Sequence, residues 1–189
     1  MQWSKKTLMS IFIAAIMILS VIGFAFTFTE PPARLEYNNI AFAQTVQGLQ
    51  AKINGTKLTF YYFPGQLEDI AFDEGAKVAL EGTRVIWLSY DPNDLYASEI
   101  ADVLYYMEQT LDTVGDMYVQ RGLVNNTDYP LPEITCANAT VTVPVLVMQS
   151  NNETGITHAN GCITATAGSS QEVYQVGDRL LYQAFGVMD

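Results

Sequence analysis

The sequence predicts an α/β domain held by a single N-terminal transmembrane helix, and three observations carry that prediction. The run from Leu8 to Phe28 holds no charged residue, and about 20 such residues in a helix cross a hydrocarbon core of about 30 Å. Beyond it, short apolar runs bounded by Gly, Pro and Asn alternate with segments of helical periodicity. The composition, 49% hydrophobic and only 15% charged, is that of a chain able to bury a core. The expected architecture is a mixed sheet of about five strands with three helices. It divides into a cytoplasmic tail 1–6, an anchor 7–28, a stalk 29–34 and an extracytoplasmic domain 35–189.

Lys5 and Lys6 precede the apolar run and Glu30 follows it, so the positive-inside rule places the N-terminus in the cytoplasm and the domain outside a cell membrane crossed once. A cleaved secretory signal is the competing reading, but such signals have a shorter apolar region and a small-x-small site. Here the run ends in Gly23-Phe24-Ala25-Phe26-Thr27-Phe28, and the bulky Phe residues favour a retained anchor. A pilin-like assembly helix fits less well, because Thr7 and Leu8 stand where a small residue is needed.

All 20 acidic residues lie beyond position 29 with 7 of the 9 basic ones, so the external part carries 7 − 20 = −13. That balance repels nucleic acid, which needs clustered Lys and Arg. It also disfavours lying flat on an anionic bilayer.

Pro31-Pro32 makes a short stiff stalk, so folding should begin near Leu35. Strands are expected over Tyr37 to Thr45, Leu49 to Ile53 and Lys57 to Phe63, with Asn54-Gly55 as the hairpin turn between the last two. Pro64-Gly65 stops the third, and Leu67 to Leu80 reads as a short helix closed by Gly82. A strand at Val85 to Leu88 follows, then a helix opened by Asp91-Pro92 with apolar residues at 96, 100, 103, 104, 107, 111, 114 and 118. After a loop from Val124 to Thr140 come strands at Val143 to Met148 and Gly161 to Ala167, joined by a polar, exposed connection 149–160. Ser169 and Glu172 form a capping box for a last helix with apolar positions 173, 176, 180, 184 and 187.

Two features suit an external location. Asn-x-Thr sequons occur at Asn54, Asn125, Asn138 and Asn152, which makes these four glycosylation candidates. Cys136 and Cys162 are the only cysteines, and a pair outside the membrane is more often a bridge than two free thiols.

Read from Lys57, the element order resembles the thioredoxin-like fold, and Val143-Pro144-Val145 stands where that family places a cis-proline before its penultimate strand. The family's Cys-x-x-Cys position reads Phe63-Pro64-Gly65-Gln66 here, so dithiol exchange by the usual route has no nucleophile. Ser89-Tyr90-Asp91-Pro92, Cys136-Ala137-Asn138-Ala139-Thr140, Gly161-Cys162 and Asp178-Arg179-Leu180-Leu181-Tyr182 resemble segments of a group of short membrane-anchored surface proteins from archaea. That likeness implies location and disulfide pairing and carries no reaction.

Catalytic patterns do not emerge. His158, the only histidine, reads as a solvated loop residue. Asp91, Asn93 and Asp94 read as helix caps, not as a calcium loop, and Asp69, Asp73 and Glu74 as a solvated helix face. No metal site, cofactor or phosphate-cradling loop is expected. The sequence therefore points to a non-catalytic binding module whose partner is another surface protein or a glycan. The alternative is a thiol-disulfide exchanger using Cys136 and Cys162. The thioredoxin resemblance directs a binding edge to Phe63, Pro64, Gly65 and Gln66 beside Val143 and Pro144, because open α/β sheets bind ligands at the carboxyl ends of their strands.

Overall fold

The computed structural model describes residues 5–27, 34–125 and 129–188, and the chain divides into two units, 1–33 and 34–189. In the first lies α1 (Lys5–Thr27), a 23-residue helix, about 34 Å long at the helical rise. It is long and apolar enough to cross a membrane, and its described side chains are exposed throughout. Phe28 and stalk residues 29–33 lie outside the described residues. Arg34 already belongs to the first strand of the second unit.

That unit opens with a four-stranded antiparallel meander: β1 (Arg34–Tyr37), β2 (Ile40–Thr45), β3 (Gly48–Ile53) and β4 (Thr56–Phe60). Two of its turns are two-residue loops with both residues in the left-handed region, Asn38-Asn39 at φ 46° and 64° and Asn54-Gly55 at 49° and 85°. Asn and Gly tolerate that geometry, and it matches the twist of a hairpin. Gly48 closes the third turn at φ 127°, where an added Cβ would lie 2.6 Å from the Phe60 carbonyl oxygen. Only glycine fits there.

A second sheet holds β5 (Ala71–Phe72), β6 (Val85–Tyr90), β7 (Tyr118–Leu123), β8 (Val145–Ser150), β9 (Gly155–Ala159) and β10 (Cys162–Ala167), in the order β5-β9-β10-β8-β6-β7. β7, β6, β8 and β10 run parallel, whereas β9 forms an antiparallel hairpin with β10 and pairs with β5. Three helices complete the unit: α2 (Glu74–Gly82), α3 (Ala97–Val114) and α4 (Ser170–Ala184).

α4 is the centre of the domain. It packs on α2, α3 and β10, while its Tyr182 stacks on Phe60 of the meander with ring centroids 4.3 Å apart. Phe42 meets the same ring edge-on at 6.0 Å. With a sheet on either side, every residue from Val176 to Gln183 is buried, as expected for a helix covered all round. Ser169 caps the helix as expected, its Oγ accepting the Glu172 N–H at 3.3 Å, while Glu172 Oε2 accepts the Ser169 hydroxyl at 3.1 Å.

The six-stranded sheet uses its two faces differently. Leu146 and Met148 join the main core, whereas Val145, Val147 and Cys162 form a smaller cluster with Ile134. Segment 129–140 covers that second face. Ser89 Oγ donates to the Ile134 carbonyl at 2.6 Å, and Ile134 N–H donates to the Leu123 carbonyl at 2.8 Å.

Several expectations are corrected. In place of one sheet of about five strands there are two sheets, because Asn38-Asn39 and Asn54-Gly55 turn the early strands onto one another. The strand ending before Tyr61 belongs to the meander, and β8 and β10 pair in parallel. The hairpin partner of β10 is β9, which lies inside the connection read as exposed. No cis peptide occurs among the described residues, so Pro144 is trans. The helix expected from Leu67 begins at Glu74, since Pro64–Gln66 makes a 3-10 turn and Ala71-Phe72 pairs with β9. α3 starts at Ala97, five residues later than Pro92, because Asp91 and Asp94 each accept a backbone N–H two residues on. Tyr118, read as the end of that helix, opens β7.

Candidate functional site

After β4 the chain continues as Tyr61-Tyr62-Phe63, and α4 fixes its backbone. Asp178 Oδ2 accepts the N–H of Tyr61 at 2.7 Å and of Tyr62 at 2.8 Å. The Tyr182 hydroxyl donates to the Tyr62 carbonyl at 2.7 Å. One residue further, the Phe63 N–H donates to Gln66 Oε1 at 3.0 Å, closing the 3-10 turn. With these backbone groups held from behind, the three rings form a ledge. Tyr61 is 54% exposed, Tyr62 and Phe63 are half-buried, and Phe63 rests on Tyr37 and Phe42 at 5.9 and 5.4 Å.

The ledge walls a groove of about 450 Å³, within the roughly 300–1,000 Å³ of small-molecule sites. Leu35 and Leu49 add apolar surface, Gly48 keeps the opposite turn close, and Gln44, Thr45 and Gln66 supply amide and hydroxyl groups. Every described residue that lines it is uncharged.

Behind the ledge, Asp178 is only 2% exposed. Burial pushes its carboxyl up to about 7, against the lowering pull of the Tyr62 and Tyr61 N–H groups. Asp102, Tyr106 and Tyr174 share its narrow cleft of about 10 Å³, which leaves space for about one water. Burial likewise raises Tyr61, with the Asp102 and Asp178 charges adding to it. A carboxyl poised near neutrality is a common mark of acid-base chemistry. This one faces no space for a substrate, and its geometry is that of a clamp.

The expected edge is divided. Phe63 and Gln66 line the groove, with Pro64 buried beneath and Gly65 exposed. Val143 and Pro144 precede β8 at the amino end of the parallel strands, where the Pro144 carbonyl accepts the Trp87 N–H at 3.0 Å. At the carboxyl ends, between β6 and β8, Asp94 Oδ2 accepts the N–H and hydroxyl of Ser150 at 2.8 and 3.1 Å. The chain's own carboxylate thus fills the crevice in which open sheets bind ligands.

Cys136 and Cys162 are bonded, with Cα atoms 5.2 Å apart. The bridge joins the covering segment to the first residue of β10, and Cys162 is 3% exposed. The four sequon asparagines are exposed. Asn54 is on a hairpin tip and the Asn138 side chain caps a 3-10 turn at Thr135, while the Thr127 of the Asn125 sequon lies outside the described residues. His158 sits on β9 instead of a loop, against Gly75. Among the described residues no three His, Cys, Asp or Glu side chains converge.

Tyr61 and Tyr62 of the ledge, and the buried Asp178 that holds them from behind, are not singled out by the sequence. The signal was an aspartate in the middle of an amphipathic helix, at a position its neighbours show to be buried. No family model, curated protein or solved structure matches this chain.

Proposed function

We propose that this protein is a membrane-anchored, extracytoplasmic and non-catalytic binding module, with the α1 helix as anchor and Lys5 and Lys6 on the cytoplasmic side. The observation that carries the reading is the uncharged groove walled by Tyr61, Tyr62 and Phe63, whose ledge is fixed by Asp178 and Tyr182 before any ligand arrives. Preorganisation of this kind lowers the ordering cost of binding. The partner is a surface protein or a glycan, and the exposed sequons are sites at which the domain itself is glycosylated.

Thiol exchange is the weaker reading: Cys136 is exposed but Cys162 is buried, and the bridge pins the covering segment to the first residue of β10 as a structural disulfide does. A photoreactive Val46→p-benzoylphenylalanine variant, on the exposed turn beside the groove and outside its lining, tests the module in the native membrane. A specific adduct supports it. Absence of any adduct, or insulin disulfide reduction abolished by Cys136→Ser, overturns it. Protease digestion of sealed right-side-out vesicles tests the orientation, which requires the domain to be cleaved.

A further inference from the structure

We infer that the groove takes an uncharged oligosaccharide. The inference rests on the binding-module reading and names its ligand class. The first argument is charge. The chain carries 20 acidic and 9 basic residues, yet the described residues lining this groove are all uncharged. Among them an anionic ligand meets no cation and a cationic one no carboxylate, so the described lining favours neither.

The second argument is the pairing of surfaces. Tyr61 and its neighbours give flat aromatic area beside Gln44, Thr45 and Gln66. Sugar rings present apolar C–H faces and a rim of hydroxyls that both donate and accept. Aromatic faces match the first, and amide or hydroxyl side chains, which also do both, match the second. A purely apolar ligand would leave those polar groups desolvated and unmatched.

The third argument is contrast within the same fold. A larger groove of about 770 Å³ lies beside Val78, Val141 and His158, and it is flanked by Glu74 and Arg84. It offers charge and aliphatic surface but no Phe, Tyr or Trp platform. The combination suited to a neutral saccharide occurs at the Tyr61 ledge.

The test uses the full chain in lipid nanodiscs, applied to an array of neutral and acidic oligosaccharides. Binding to at least one neutral oligosaccharide is expected, reduced at least tenfold by Tyr61→Ala and by Gln44→Ala, with melting curves confirming that both variants fold. Gln44 is on an exposed strand position, which keeps the test open if Tyr61→Ala unfolds. Binding confined to acidic oligosaccharides, or unaffected by either variant, overturns the inference. No neutral binding together with a polypeptide adduct from the Val46→p-benzoylphenylalanine variant overturns the saccharide but leaves the module standing. No binding and no adduct overturn both.

Discussion

Asp178 Oδ2 accepts the Tyr61 N–H at 2.7 Å, joining the helix at the centre of the domain to the ledge on its surface. Because burial raises this carboxyl from 3.8 in the unfolded chain to about 7, the folded state holds the proton more tightly. The associated stability is complete below about pH 4 and is lost as pH rises towards 7. Asp178→Asn keeps an oxygen for both N–H groups and removes the titration. The wild type should therefore lose stability relative to Asp178→Asn between pH 4 and 7, measured by denaturant melts at each pH. The Tyr61 and Tyr62 amide proton shifts should titrate with a midpoint near 7 in the wild type and stay flat in the variant. Asp102, Tyr106 and Tyr182 face the same carboxyl, and a midpoint near 4 would refute the assignment.

Tyr106 should act as a substitute strand for β4. Its hydroxyl donates to the Thr59 carbonyl at 2.5 Å and accepts the Thr59 N–H at 3.3 Å, on the edge of β4 that faces away from β3. Tyr106→Phe leaves both backbone groups unmatched, at a cost of about 2 kcal/mol. Hydrogen exchange at the Thr59 amide should accelerate in proportion, and an unchanged rate would rule this role out.

Gly177 marks the closest approach of α3 and α4, since a Cβ there would lie 2.4 Å from Val103 Cγ1. Alanine in place of a mid-helix glycine ordinarily stabilises by about 0.5–1 kcal/mol. Here Gly177→Ala should instead destabilise by about 1–3 kcal/mol through overpacking. The double variant with Val103→Ala should recover part of the loss in thermal melts, and additive losses would contradict the contact.

Breaking the Cys136–Cys162 bridge should release segment 129–140 from the sheet face it covers. For a loop closed over 26 positions the loss is about 3 kcal/mol. Paired Cys→Ser substitution should lower the melting temperature and raise proteolysis within 129–140. Equal melting with and without reductant in the wild type would refute it.

Local patterns made much of the fold legible. The β6 and β8 strands, the α3 stripe, the Ser169 cap and the Asn54-Gly55 turn were all readable from adjacent residues. Failures arose where distant contacts decide. β9 is polar and holds only Ile156 deep in the core, so its strand character comes from ladders to β5 and β10. Its Asn160-Gly161 turn repeats the hairpin dipeptide at φ 51° and 82° and is the local cue to this hairpin. Asp178 and Arg179 look like the solvent face of an amphipathic helix until a second sheet is laid across it. Of the groove, Phe63 and Gln66 were anticipated for a different reason, as the counterpart of an absent thiol motif. Their partners Gln44 and Leu49 lie on strands whose pairing the composition does not reveal.

The central position of α4 also dictates an order of events. All ten described strands precede it in the chain, yet both sheets bury apolar surface against it. While the chain is emerging, α2 and α3 can cover part of the parallel strands, but the faces of the meander and β10 that meet α4 stay open. Such surfaces are prone to association. The hairpins can form early and locally, but docking must wait for Ser170–Ala184. Final assembly of the domain therefore waits on a segment that follows all of its described strands.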